Sequence, residues 1–145
     1  MAAPNAAQVT APTTLTTTSE TVAAVTPPRN IDQGGPYAQG NLIQAVVSGA
    51  TGAAATSVQV RVRQGTNGGV GATAPAGTQV GSTVQVSVTA AGFHGVAISV
   101  LDATAFALIN PAAQYAVSVQ QVAATGNGSV TQAQISEESC NSLGT

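Results

Sequence analysis

The stretch "SVQVRVRQG", Ser57 to Gly65, decides how the chain is read. Successive side chains of a β-strand point to opposite faces, so residues two apart share a face. Val58, Val60 and Val62 therefore line one face, while Gln59, Arg61 and Arg63 line the other. This is the pattern of a strand with its valines on a core and its polar edge turned outward.

The same alternation recurs on either side. "STVQVSVTA" (82–90) sets Val84, Val86 and Val88 on one face, preceded by the short "TQVG" (78–81). "QYAVSVQQV" (114–122) aligns Tyr115, Val117 and Val119, and a bulge at Gln120-Gln121 is expected to return Val122 to that face. "ETVAAV" (20–25) reads as a short strand. "NLIQAVVSG" (41–49) is more continuously apolar and is expected to be a buried strand, and "GVAISVLD" (95–102) is expected to be buried on both faces. "GSVTQAQI" (128–135) closes the series, with the odd spacing of Val130 and Ile135 pointing to a bend. Between these runs lie turn signals: "DQGGPYAQG" (32–40), the Gly-rich loop Gly65–Gly77, and Asn127-Gly128, which suits a tight hairpin with positive φ. "DATAFALINPAAQ" (102–114) has room for a helical turn that Pro111 limits. About eight short strands with Gly, Pro and Asn punctuation predict an all-β domain, a single β-sandwich or jelly roll.

The domain is expected to span 19–138, with a C-terminal tail at 139–145. Residues 1–18 are uncharged, rich in Ala, Thr, Pro and Gln, and interrupted by Pro4 and Pro12. They read as an extended arm that orders against other chains, and whose removal should leave the β domain folded.

Charge narrows the function. The 145 residues carry three arginines, no lysine and five acidic residues, for a net charge of −2. Charged residues make up 6% of the chain, against about 25% in ordinary globular domains. Nucleic acid and anionic membranes are excluded as partners, since three cations cannot supply counterion-release affinity. Surfaces poor in charge suit burial in an assembly, where an unpaired charge is costly to desolvate. No basic-plus-apolar leader pattern opens the chain, and no apolar run is long enough to span a bilayer, so a soluble protein made in the cytoplasm is expected. The lone Cys140 cannot pair within the chain and fits a reducing compartment.

Motifs for chemistry are absent or out of place. "GVGATA" (69–74) matches a dinucleotide fingerprint on paper, but Pro75 and Gly77 and a further strand follow where a helix is required. His94, the only histidine, reads as a turn residue without a nucleophile or orienting carboxylate in a recognised setting. "NGS" (127–129) reads as a turn rather than a glycosylation site, and Glu137-Glu138 as part of a solvated tail. No enzyme activity, cofactor or metal is expected. The arginine pair has two readings: a solvated sheet face, or cations that pair with carboxylates of a neighbouring subunit or partner surface, where arginine's planar fork is preferred. Glu20, Asp32, Asp102, Glu137 and Glu138 are the carboxylates within the chain that could meet them. Arg61 and Arg63, with Val9 and Leu15 of the arm, are the candidate interface residues.

An uncharged Ala/Thr/Pro arm, a Val-rich β domain over residues 19–138, and phrases such as "VRVRQG", "TQVG", "YAVSVQQ" and "ATGNGSV" resemble the small capsid decoration (cement) proteins of tailed bacteriophages. The resemblance implies a structural virion protein on the outer capsid surface, seated on the major capsid protein and bridging its subunits, most often as a homotrimer. It implies no catalytic residue. The low charge departs from that family's character and leaves the mode of attachment open. The alternative is an adhesin-like or receptor-binding module on a virion or cell surface, with the 65–77 loop and other hairpin tips as its contacts.

Overall fold

The computed structural model describes residues 5–17, 19–27, 38–65, 67–88, 92–103 and 114–141. Nine strands run through them: β1 (Asn5–Val9), β2 (Thr13–Leu15), β3 (Thr21–Val25), β4 (Ala38–Ala50), β5 (Ser57–Gln64), β6 (Thr78–Ser87), β7 (Gly92–Asp102), β8 (Tyr115–Val122) and β9 (Gly128–Asn141). They form two antiparallel sheets. One has the order β1-β9-β4-β7 with β2 also on β9, and the other has the order β3-β8-β5-β6. From β2 to β9 the chain crosses between the sheets at every connection except β5–β6. With β1 and β2 counted as one interrupted strand, this is the eight-strand jelly roll. The expected all-β sandwich is the fold observed.

The valine alternation builds the core. Val58, Val60 and Val62 of β5 and Val117 and Val119 of β8 are fully buried, facing Ile43 and Val47 of β4 and Ile135 of β9. Fully burying a side chain of this size contributes about 1.5–3 kcal/mol. A core of many small aliphatics therefore holds the sandwich together without tryptophan.

Several local expectations are corrected. "TQVG" and "STVQVSVTA" are one strand, β6, bent where Gly81 adopts φ +72. At that bend Val60 pairs with Val84 and Val62 with Val80, leaving Arg61 opposite the extra residues. A Cβ at Gly81 would lie 2.6 Å from the Val100 side chain, so only glycine lets β6 approach β7 there. Strands β4 and β7 are not buried on both faces: Gln44, Val46, Ala97, Ser99 and Leu101 point outward and are exposed. Among the described residues no second layer covers that side of the sheet. Pairing between β8 and β5 is continuous from Tyr115 to Val122, so the expected bulge at Gln120-Gln121 is absent and Gln121 takes the inward position. The bend of β9 is real. Ser48 pairs with Gln132 and Gly49 with Val130, and the skipped Thr131 lets both Val130 and Ile135 face the core.

The β8–β9 connection is not a hairpin, because the two strands lie in different sheets. Its left-handed residue is Ala123 (φ 62) rather than Asn127. His94 lies within β7 rather than in a turn, and is exposed. Glu137 is buried in β9, because it shares the inward parity of Ile135. The expected helical turn in 102–114 and most of the "DQGGPYAQG" turn lie outside the described residues.

The N-terminal segment is extended as expected, but it pairs with its own chain. β1 runs along β9 from Asn5↔Glu137 to Val9↔Ala133, and β2 continues from Thr13↔Val130 to Leu15↔Gly128. Pro12 lies in the break between them, where the missing N–H costs no ladder bond. Leu15 is fully buried, so this segment completes the domain rather than hanging from it.

Candidate functional site

The sandwich has two outer faces of opposite character. On the β3-β8-β5-β6 sheet the arginine pair projects from β5. The Arg63 Nε and Nη2 groups donate to the two carboxylate oxygens of Glu20 at 2.6 and 2.9 Å, and Nη1 donates to the Gly77 carbonyl at 2.7 Å. Glu20 also accepts a hydrogen bond from the Ser118 hydroxyl. Burial opposes ionisation of Glu20, but the bonds from Arg63 and Ser118 and the arginine charge outweigh it and hold the carboxyl below its ordinary range. The bond to Glu20 in turn raises Arg63 against the opposing effect of burial. Arg61 donates to Gln120 at 2.8 Å and to Gln59 at 2.6 Å, and Gln59 donates on to Gln85 at 3.1 Å. Both cations thus have partners inside the chain. Ser118 and Ala116 beneath them are fully buried.

The 65–77 loop belongs to this face. It folds back on β3 instead of standing outward. Gly71 N–H donates to Val22 O, Val22 N–H to Ala72 O, and Ala74 N–H to Glu20 O, while Thr21 and Thr73 form a bridge. Residues 68–71 at its tip remain exposed.

The outer face of the β1-β9-β4-β7 sheet has no layer over it among the described residues. Register places its outward residues in rows across the strands. Gln8, Gln134, Val46 and Ala97 form one row; Ala6, Ser136, Gln44 and Ser99 form the next; Glu138, Leu42 and Leu101 form a third. Glu138 is the single charged residue in these rows. Val46 is 40% exposed and Leu101 59%, two of the three large exposed hydrophobics among the described residues. Where Ala6 and Ser136 meet Gln44 and Gln134, the small side chains leave a hollow of about 410 Å³. Leu101 stands beside it as a ridge lying over Gly40, where an added Cβ would come within 2.9 Å of the leucine.

A third polar cluster is internal. The Tyr115 hydroxyl donates to Asp102 at 2.8 Å and accepts from the Asn41 amide at 3.4 Å. Burial, then the bond to Asp102, pushes the phenol above its ordinary range, so it stays protonated. Among the described residues no group of three or more His, Cys, Asp or Glu side chains is placed to hold a metal ion.

Of the residues singled out from sequence, Arg61 and Arg63 lie on the networked face, and Leu15 is spent in the core. Val9 is half-buried on β1. The structure brings none of these four onto the bare face. The residues that make that face, Gln44, Val46, Leu101, Gln134 and Ser136, were missed. Their signal was the polar residue at every second position of β9, Gln132, Gln134, Ser136 and Glu138; in β4 and β7 the outward Leu42, Val46, Ala97 and Leu101 hid it.

Topology and the two faces define a jelly-roll module with one self-satisfied side and one side left open among the described residues. No protein-family model matches the chain, and no curated protein does. Similar solved structures include the C-terminal domain of EclA, a sugar-binding protein, at 13% identity over 93% of this chain and 79% of that one, with a TM-score of 0.39. A protein of Bacillus endospore appendages, which are disulfide-linked pili, is similar at 16% identity over 94% of this chain and 91% of its own, TM-score 0.34. The enzymatically active domain of tailspike protein 4 of bacteriophage CBA120 is similar at 8% identity over 94% of this chain and 19% of its own, TM-score 0.34. Likenesses of this size carry no argument about what the chain does.

Proposed function

We propose that the chain is a structural virion protein that binds the outside of a phage capsid, contacts the major capsid protein, and stabilises the shell by bridging its subunits as a homotrimer. The observation that carries this reading is the uncovered sheet face, uncharged apart from Glu138 and displaying Val46 and Leu101. A surface of amides, small residues and exposed aliphatics is suited to burial in an assembly, where charged residues are depleted. The resemblance of the chain's strand phrasing and uncharged N-terminal segment to capsid decoration proteins supports the shell as the place of assembly. The attachment then rests on burial and hydrogen bonding and depends little on salt, because Glu138 is the one charge in its described rows.

The test is co-sedimentation of purified protein with empty shells and, separately, with host cells. Binding to shells at both low and high salt, with a raised melting temperature of the shell, is the expected result. Binding to cells and not to shells would overturn this reading in favour of the adhesin-like one.

A further inference from the structure

We propose that Asn127 is a self-processing site. Its side chain closes on the Gly128 nitrogen, loses ammonia and opens with water to isoaspartate, which loosens the end of the sandwich held by Gln121. The reaction is independent of the surface that the chain buries in an assembly.

Asn-Gly occurs twice in the chain, at 67–68 and at 127–128. Glycine has no Cβ to shield its nitrogen, so it is the successor that most favours attack on a preceding asparagine. The fold accounts for Gly128 but not for Asn127. A Cβ at Gly128 would lie 2.3 Å from the Ala50 oxygen, so packing requires glycine there. Asn127 is not the turn residue of its connection, since the left-handed position is Ala123. Its side chain is exposed and has no hydrogen-bond partner among the described residues.

Asn67 has the same successor and the opposite setting. It is 5% exposed, and its Nδ2 donates to the Gly65 carbonyl at 3.0 Å. Its Cγ lies only 2.7 Å from where a Cβ on Gly77 would stand. Attack there requires the bond and the packing to be broken first. At Asn127 there is no such bond to break.

The step balances with water and hydroxide alone. Hydroxide removes the Gly128 amide proton, and the nitrogen bonds to Asn127 Cγ. The Cγ–Nδ2 bond breaks, and the leaving nitrogen takes up a proton and departs as ammonia. Water then opens the succinimide ring at one of its two carbonyls. Opening at Cγ gives aspartate. Opening at the main-chain carbonyl gives isoaspartate, in which the chain runs through the side-chain carbon and is one methylene longer.

That methylene falls between two held points. On one side the Gly126 carbonyl accepts from Gln121 Nε2 at 2.8 Å, and the Thr125 N–H donates to the Ala53 carbonyl at 2.7 Å. On the other, Gly128 packs so closely that its absent Cβ would lie 2.9 Å from Gln121 Oε1. That same oxygen accepts from the Gly52 N–H at 2.8 Å. The longer chain fits only if Gly126 or Gly128 moves off Gln121. Plain aspartate adds a charge at an exposed position and leaves these bonds in place.

The intact chain is aged in mildly alkaline and mildly acidic buffer, then cut with chymotrypsin, whose cleavage after Tyr115 separates the two sites. Electron-transfer mass spectrometry reads the amide-to-acid mass gain at each asparagine and tells isoaspartate from aspartate. In the folded chain Asn127 is expected to convert about tenfold or more faster than Asn67, the held amide and packing of Asn67 expressed as a rate. Conversion should be faster in the alkaline buffer, and in urea the two rates should converge. Aged wild type, rich in isoaspartate, should melt at a lower temperature than fresh protein and exchange its Gly52 amide faster. Asn127→Asp should melt like fresh wild type, and Asn127→Gln should keep its melting temperature on ageing. Asn127→Ser takes its place if the glutamine variant does not fold. Equal conversion of both asparagines in the folded chain overturns the site. So does an Asn127 that stays intact while the urea-unfolded chain converts. Isoaspartate-rich protein that melts like fresh protein overturns the loosening.

Discussion

Replacing Gln121 by leucine should be among the most damaging single changes in the chain. Gln121 is 1% exposed, and its amide joins three separate connections at one end of the sandwich. Its Oε1 accepts from the Gly52 N–H at 2.8 Å, and its Nε2 donates to the Gly126 carbonyl at 2.8 Å and the Thr16 carbonyl at 3.1 Å. The packing is close: a Cβ at Gly52 would sit 1.9 Å from the Gly126 oxygen, so the two loops meet there with no room for a side chain between them. Leucine keeps the volume and removes every bond. The buried Gly52 N–H then costs about 1–3 kcal/mol and each carbonyl about 1 kcal/mol, of which new apolar burial returns about 1 kcal/mol. The net loss is about 2–4 kcal/mol, a large share of the roughly 5–15 kcal/mol that holds a domain. In urea, with a slope of about 2 kcal/mol per molar, the unfolding midpoint should fall by about 1–2 M with the slope unchanged. Hydrogen exchange at the Gly52 amide should accelerate at the same time. A midpoint shift below about 0.3 M would show that the three connections are held by something other than this amide.

Other expectations follow from the same structure. Truncation to residue 12 removes only β1, with its half-buried Ala7 and Val9, and should leave a folded domain. Truncation to residue 19 also removes Leu15 and should cost about 2–5 kcal/mol, read as a further drop in melting temperature. Arg63→Ala strands Glu20 and should destabilise by about 1–2 kcal/mol after allowing for solvent screening, and Arg61→Ala by less. Glu20 holds its proton less tightly in the folded chain than its ordinary value of 4.5. Its pairing therefore contributes fully above that pH and is lost as pH falls through the lower folded value, and Glu20→Gln should flatten that acid limb of the stability profile.

Period-two valines were enough to place β5, β6 and β8 and to name the sandwich, because alternation is a local property of one strand. Parity across a bulge is not local. The inward turn of Glu137 depends on Thr131 being skipped opposite Ser48 and Gly49, a feature of pairing between residues over eighty positions apart. The Gln120-Gln121 pair looked like a bulge because a buried glutamine is costly by itself; only the convergence of Gly52, Thr16 and Gly126 makes it favourable. Arg63 was recognised as a cation in need of a carboxylate, but which of five carboxylates would meet it was settled by the β3-β8-β5 order, which brings Glu20 to it. The uncovered face was hidden for a related reason. "NLIQAVVSG" reads as a buried strand unless it is known that none of the described residues packs over Gln44 and Val46.

The loop that folds back from β5–β6 has a consequence for the chain in the crowded setting where it is made. Uncharged strands rich in valine and threonine are the composition from which cross-β fibres grow, and they grow by adding chains to an open row of backbone donors and acceptors. Residues 71–74 occupy that row on β3, and the Arg63 bond to Gly77 ties the far end of the loop in place. The loop thus serves as a plug against fibre growth. Loosening it, by Gly71→Val or by Arg63→Ala, should shorten the lag time of thioflavin-positive aggregation before it measurably changes the fold.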